Sequence, residues 1–336
     1  GHDRRTTLRL EQHVDVKVWE EDLNEFVPQK IYDCHIHMFD KKYVDKEYHS
    51  DLHFGDADHE TLRIWSTKLF PGRESHYLVL GCPHLGTDVK QHNEMIQREL
   101  KSDPLSRANR LTTPECNPLD IENDIKNNGF MGLKVYRIYS VTGDPNECRI
   151  KDFLPEEQLE VANDLGCWVT LHMAKQLGAG DPENLSDLEN YTTKYPNIKW
   201  ILAHCARSFT YYQIKQGIDR LKDMPNIWYD LSAVCDVTVF YKLFTKENHK
   251  RIFFGTDGID STNFHGSYFA MGRAWKMLDV SDWGADKFTH TEFTPIVAIY
   301  EQLLAMKHAA EMAGFSKDQI EDIFWRNAVR EFGIDW

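Results

Sequence analysis

Short apolar runs recur along the chain, each followed by a longer stretch whose apolar residues fall three or four apart. The runs are "IYDCHIHMFD" (31–40), "HYLVLGCP" (76–83), "NRLTTP" (109–114), "GLKVYRI" (132–138), "CWVTLH" (167–172), "IKWILAHC" (198–205), "IWYDLS" (227–232) and "RIFFGTDG" (251–258). Their brevity and strong apolar character predict strands. The intervening segments read as helices, among them "TLRIWSTKLF", a stretch near 87–101, "PLDIENDIKNNG" and one starting at Pro155. Two amphipathic helical segments, "EFTPIVAIYEQLLAMKHAAEMAG" and "KDQIEDIFWRNAVREFG", close the chain. Eight alternating units predict an α/β protein built as a parallel eight-stranded (β/α)8 TIM barrel rather than a doubly wound sheet. No Gly-rich phosphate fingerprint follows any strand, which removes the usual dinucleotide-binding alternative. The expected organisation is an N-terminal arm over residues 1–25 and one domain over 26–336. A polar excursion from Asp40 to about Gly72 leaves the end of the first strand and is too long for an ordinary connection, so it is expected to cover the barrel mouth.

The first strand is unusual in what it carries. Regular alternation would place Asp33, His35 and His37 on one face and Cys34, Ile36 and Met38 on the other. A single histidine in an apolar strand is more often a hydrogen-bonded core residue than a ligand. Two on one face leave several ring nitrogens needing partners, and a shared metal ion would satisfy one on each ring. Other strands end on polar residues too: His172 closes "WVTLH", His204 closes "WILAH" and Asp257 follows "IFFGT". In a parallel barrel these C-terminal ends meet at one mouth, where such barrels build their active sites. Imidazoles and a carboxylate gathered there suit Zn(II) or a similar divalent ion with an open position. Such an ion lowers the pKa of bound water to about 7 or polarises a substrate oxygen. Spacing alone does not separate ligand from acid–base residue.

Composition narrows the class. The 336 residues are 41% hydrophobic and 12% aromatic, an ordinary globular balance, and 39 Lys+Arg against 53 Asp+Glu leave a net charge of -14. That sign argues against generic binding to nucleic acid or an anionic membrane, and not against a small anionic substrate. Seven scattered cysteines without a CxxC pair form neither a disulfide framework nor a thiolate zinc site, which fits a reducing compartment. The first residues hold no apolar core of signal-peptide length, and no apolar run approaches a membrane span. The expectation is a cytoplasmic protein that acts on a small, anionic molecule, binds neither nucleic acid nor membrane, and assembles as a homo-oligomer.

The ordered set "DCHIHMF", "GFMGLKVY", "LGCWVTLH", "WILAHCAR", "NIWYDLSAV", "RIFFGTDG" and "IFWRNAVREFGI" resembles the amidohydrolase superfamily over residues 31–333. The resemblance is to the branch that includes aminocarboxymuconate semialdehyde decarboxylase, resorcylate decarboxylases and sugar-acid lactonases. It implies one divalent metal ion, zinc first and manganese as the alternative, held by His35, His37, His172 and Asp257. It also implies His204 beside the reacting water or substrate, with Asp257 and His204 catalytic. Lys134 occupies the position where two-metal relatives carry a bridging carboxylated lysine; the one-metal branch implies a buried or ion-paired lysine instead. Arg207 and Arg137 are candidate carboxylate clamps, and His84 and His265 are candidate substrate contacts at the mouth. "HCARSF" departs from the Gly-rich stretch that decarboxylase-like sequences often show after the sixth-strand histidine, which weakens any transfer of substrate. The implied activity is metal-dependent hydrolysis of a lactone, ester or amide, with non-oxidative decarboxylation of a small carboxylic acid as the alternative.

Overall fold

The computed structural model describes residues 13–52, 55–262, 264–279, 290 and 294–336, so residues 1–12 of the expected arm lie outside it. Eight parallel strands pair in sequential order: β1 (Lys30–His37), β2 (Glu74–Leu80), β3 (Arg107–Leu111), β4 (Gly132–Tyr136), β5 (Trp168–His172), β6 (Lys199–Leu202), β7 (Ile227–Asp230) and β8 (Ile252–Phe253). Backbone bonds join the last strand to the first: Cys34 N–H to Phe254 O at 2.9 Å, Asp257 N–H to His35 O at 2.6 Å and His37 N–H to Gly258 O at 3.0 Å. The eight predicted strands are all present in a (β/α)8 barrel, each shorter than its apolar run. The residues beyond each strand turn into the mouth.

The helices start where short polar side chains can take up free N–H groups. Asp58 caps α1 (His59–Leu69), Asp88 caps α2 (Val89–Leu100), and Asn117 caps α3 (Pro118–Asn127) with proline in the first turn. Gly166, at φ +64, ends α4 (Glu156–Leu165), and Asp181 followed by Pro182 opens α5 (Pro182–Lys194). A Thr210–Gln213 capping box opens α6 (Tyr211–Leu221), and Asp236 caps α7 (Val237–Lys246). At the chain's end stand α8 (Ala298–Met312), α9 (Lys317–Glu321) and α10 (Asn327–Phe332).

Two apolar layers result. Ile31, Leu133, Val135, Val169, Leu171, Trp200, Leu202 and Phe254 point outward and pack in the large core that fills the space to the helices. Tyr32, Cys34, Leu78, Leu80, Trp168, Ile201 and Phe253 fill the barrel itself. Phe332 packs its ring on Tyr32, Trp168 and Phe253, so the C-terminal helix plugs the end opposite the mouth. This leaves the C-terminal strand ends as the open face.

The regular alternation expected in β1 is broken. Asp33 faces Tyr77 and Ile36 faces Val79, three steps on β1 against two on β2, which is a β-bulge. Cys34 therefore joins the barrel interior while Ile36 and Met38 join the outer core. An unbroken pleat puts these three on one face, and the bulge separates Cys34 from the other two.

The excursion after β1 lies over the mouth, as its length suggested: Phe39 and Ala57 form an antiparallel bridge, and Gly55 N–H donates to Asp260 Oδ2 at 2.9 Å. A β-hairpin, β9 (Gly266–Met271) with β10 (Ala274–Asp279), follows β8 and was not anticipated. Its signal was Gly272-Arg273 between two aromatic-containing runs, with Gly272 at φ +59 as a two-residue turn requires. Among the described residues, no helix is long and apolar enough to cross a membrane.

Candidate metal centre

His35, His37, Lys134, Tyr136, His172, His204 and Asp257 line one cavity of about 230 Å³ at the mouth, closed over by Phe39, Gly55, Ala57 and Met277. A larger groove of about 740 Å³, lined from α2 and α3, lies on the outer wall and holds none of these residues.

The hydrogen bonds settle which ring nitrogens are bare. His35 Nδ1 donates to Asp230 Oδ2 at 2.9 Å, His37 Nδ1 to Leu80 O at 3.0 Å, His172 Nδ1 to Met173 O at 3.0 Å and His204 Nδ1 to Ser232 O at 3.0 Å. Those acceptors are carbonyls and a carboxylate without a proton to give, and Ser232 Oγ, 2.9 Å from His204 Nδ1, turns its own proton to Asp230 Oδ1, so in the neutral ring the proton sits on Nδ1 and Nε2 presents a lone pair. His35 Nε2 and His37 Nε2 both lie 3.2 Å from Asp257 Oδ1. Lone pairs converging in this way repel unless a proton or a cation stands among them. The ligand atoms of His35, His37 and Asp257 all lie within 4.8 Å of one another, as the donor set of a divalent ion requires.

The titration directions follow from the same crowding. Burial works against a charged His35, yet Asp230 and Asp257 hold its imidazole up to about 9, which is the proton taking the place open to a cation. Burial likewise works against a charged Asp257, but His35 and His37 keep it well below the usual carboxylate range. Burial and the His35 charge bring His204 down to about 4, and burial brings Lys134 down to about 8 against the pull of Asp230 and Asp257. His172 is pushed well below its ordinary value by burial, His204, Arg207, Lys134 and Arg137.

Asp230, at the end of β7, organises much of this. Besides His35, it accepts from His204 N–H at 3.1 Å, Ser232 N–H at 3.1 Å and Ser232 Oγ at 2.5 Å through Oδ1. Burial opposes its charge, but His35 and these donors hold it at about 2. The signal that marks it in the sequence is the one that singles out His172 and His204, a polar residue at the C-terminal end of an apolar run.

His204 is not the last residue of a strand. β6 stops at Leu202, and His204, Cys205, Ala206 and Arg207 all have positive φ, from +53 to +60, making a left-handed turn. Each such residue costs about 1–2 kcal/mol, so the turn needs support. The bonds from His204 to Asp230 and Ser232 supply it at one end, and Arg207 Nε donating to Lys175 O at 3.1 Å supplies it at the other. Asp257 also sits at φ +60.

Four further sequence candidates, Arg207, Arg137, His84 and His265, fall around the cavity rather than on its wall. The charges of Arg207 and Arg137 both act on His172; Arg137 donates to Pro145 O and Asn146 Oδ1, and burial with the neighbouring Arg137 charge brings Arg207 to about 10. His84 exchanges backbone bonds with the Tyr139 hydroxyl at 2.8 and 3.0 Å. His265 Nε2 pairs with buried Asp15 at 2.6 Å, tying the N-terminal helix (His13–Val18) to the segment after β8. Lys134 is buried, lines the cavity and, among the described residues, has no carboxylate within ion-pair distance. His172 sits beside His204, ring centroids 4.9 Å apart, with Tyr136 edge-on to it at 4.5 Å. It is outside both compact three-residue sets of the described residues, His35–His37–Asp257 and His35–His204–Asp230.

A family model described as Amidohydrolase matches residues 32–334. Comparison with curated proteins finds no match. Among solved structures, the chain is similar to a probable 2-pyrone-4,6-dicarboxylic acid hydrolase of Acinetobacter baumannii with citric acid bound, at 13% identity and TM-score 0.57, covering 90% of this chain and 99% of that one. It is similar to a dihydroxybenzoic acid decarboxylase of a Polaromonas species with bound manganese, at 14% identity and TM-score 0.52, covering 91% and 97%. A 5-carboxyvanillate decarboxylase of Sphingomonas paucimobilis is a third, at 11% identity and TM-score 0.53, covering 92% and 100%. At these identities the structural likenesses show the fold.

Proposed function

The chain belongs to the amidohydrolase family, and from that premise we propose that it is a metal-dependent hydrolase that opens a lactone, ester or amide of a small carboxylated molecule. The observation that carries this reading is the convergence of His35 Nε2 and His37 Nε2 on Asp257 Oδ1, at 3.2 Å each, inside the mouth cavity. One divalent ion, zinc before manganese, would be held by His35, His37 and Asp257, with His172 as the further ligand assigned by the family resemblance. Such an ion, when bound, activates water at neutral pH and polarises a carbonyl oxygen.

The protein's own groups supply the rest. Asp257, kept ionised by its two histidines, accepts the proton lost by the attacking water. His204 has its Nδ1 fixed on Ser232, so its bare Nε2 takes up that proton and passes it to the leaving group. Lys134 faces the developing negative charge from the fourth strand. Lys134, Arg137 and Arg207 together make the His172 side of the mouth positive, which favours a substrate carboxylate. The assembly is proposed to be a cytoplasmic homo-oligomer.

The test is to incubate zinc- and manganese-loaded protein with lactone, ester and amide panels and with a hydroxybenzoate panel. Metal-dependent acid release from the first set is expected. Release of carbon dioxide from the second set, without hydrolysis of the first, overturns hydrolysis in favour of decarboxylation.

A further inference from the structure

Asp33 does not touch the cavity, yet three of the candidate ligands are arranged around it. Its buried carboxylate fills the bulge of β1: Oδ1 accepts from His35 N–H at 3.1 Å and Thr256 N–H at 3.0 Å, and Oδ2 accepts from Thr256 Oγ1 at 2.6 Å. The Thr256 hydroxyl in turn accepts from Gly258 N–H at 3.0 Å, while Asp257 N–H donates to His35 O at 2.6 Å. Asp257 is thus held between two fixed neighbours in a left-handed conformation that an unsupported aspartate would leave.

We propose that Asp33 and Thr256 are a positioning pair for the metal centre: they hold the β1 bulge and the turn after β8 in one register, so that His35, His37 and Asp257 converge. A bulge re-aims every side chain beyond it, because the pleat alternates with a period of two. Here Cys34 remains inside the barrel and His35 nonetheless faces the mouth. Without a filled bulge the strand relaxes to plain alternation, and an inward His35 then requires Cys34 to move out. The side chain with the geometry to prevent this is the one bonded both to β1 and to the turn after β8. This inference rests on the metal reading above.

Thr256→Val removes the hydroxyl at nearly constant volume, Thr256→Ser keeps it, and Asp33→Asn keeps one acceptor oxygen. Each protein is stripped with chelator, its apo-form melting is recorded, and it is titrated with Co(II), following visible absorption, and with Zn(II) against a chromophoric chelator. Thr256→Val and Asp33→Asn are expected to weaken metal affinity about 10- to 100-fold and alter the Co(II) spectrum, whereas Thr256→Ser retains both. If Asp33→Asn does not fold, the valine–serine comparison decides. Folded variants that melt lower but bind Co(II) with wild-type affinity and spectrum would make the pair merely structural and overturn the proposal. A wild-type protein that takes up no divalent ion overturns the metal reading itself, and this role with it.

Discussion

Asp257 combines the acid–base role proposed for it with a backbone conformation that restricts what can replace it. Asparagine tolerates positive φ, keeps the volume and keeps one oxygen, so Asp257→Asn isolates the loss of charge and basicity. With metal content measured alongside, kcat is expected to fall about 10²- to 10⁴-fold; a metal-loaded variant with near-normal kcat would refute the assigned base. His204→Gln is expected to lose activity in the same range without losing metal. Asp230 acts through others: it orients His35 through Nδ1 and braces His204 through the backbone. Asp230→Asn presents an amide to His35 and permits the wrong ring tautomer, so metal affinity should drop about 10- to 100-fold. Equilibrium dialysis of wild type and variant checks this, and unchanged affinity would show that Asp230 only braces the turn.

Between elements, the left-handed turn after β6 depends on a close approach. A Cβ on Gly178 would meet Arg207 O at 2.3 Å, and Gly178 itself has φ +44. Gly178→Ala must push the turn away, and with it His204, so activity should fall together with stability, the latter by roughly 1–3 kcal/mol as overpacking does. Thermal melting and kcat/KM measured on the same preparation test the link, and a lowered Tm with untouched kcat/KM would break it. The excursion after β1 makes a second prediction. Phe39, Gly55 and Ala57 close the cavity and Gly55 is latched to Asp260. Shortening the segment between Lys41 and Asp56 should raise KM, lower kcat, or both, because water would enter the site. Unchanged values on a true substrate would reduce the excursion to a surface insertion.

At the scale of the molecule, the two ends of the barrel do different work. Opposite the mouth, Asp103 accepts from His59 Nε2 at 3.0 Å, His76 Nδ1 at 2.9 Å and Ser106 Oγ at 2.6 Å. Burial opposes its charge, yet these donors hold it well below the usual carboxylate range. A depressed carboxylate stabilises the fold above its unfolded pKa of about 4 and loses that contribution as pH falls toward its folded value. For His76 burial pulls down but Asp103 and Glu74 win and raise it, so its contribution is present below about pH 6.5 and fades as pH rises through the raised value. Asp103→Asn should therefore cost roughly 2–3 kcal/mol at pH 5–6 and flatten the acid limb of the melting curve. Metal affinity should stay at the wild-type value, since the cluster and the mouth lie at opposite strand ends. A metal site that weakens with it would mean that the two ends are coupled.

What the chain's pattern determined by itself was periodic or positional: eight apolar runs, their parallel order, and the polar residues at their ends, including His35, His37, His172, His204 and Asp257. Those follow from local rules, because strand length, crossover length and the placement of residues at strand ends are properties of consecutive residues. Plain alternation puts Asp33 on the histidines' face and leaves Asp230 as the polar end of one more apolar run. The bulge in β1, the left-handed turn at His204–Arg207, the bond from Asp33 to Thr256 and the Asp230 network join residues as much as 223 positions apart. Only the closed barrel brought those groups within reach, since a buried carboxylate's choice among distant N–H and O–H donors is set by which strands become neighbours and not by the residues beside it in the chain.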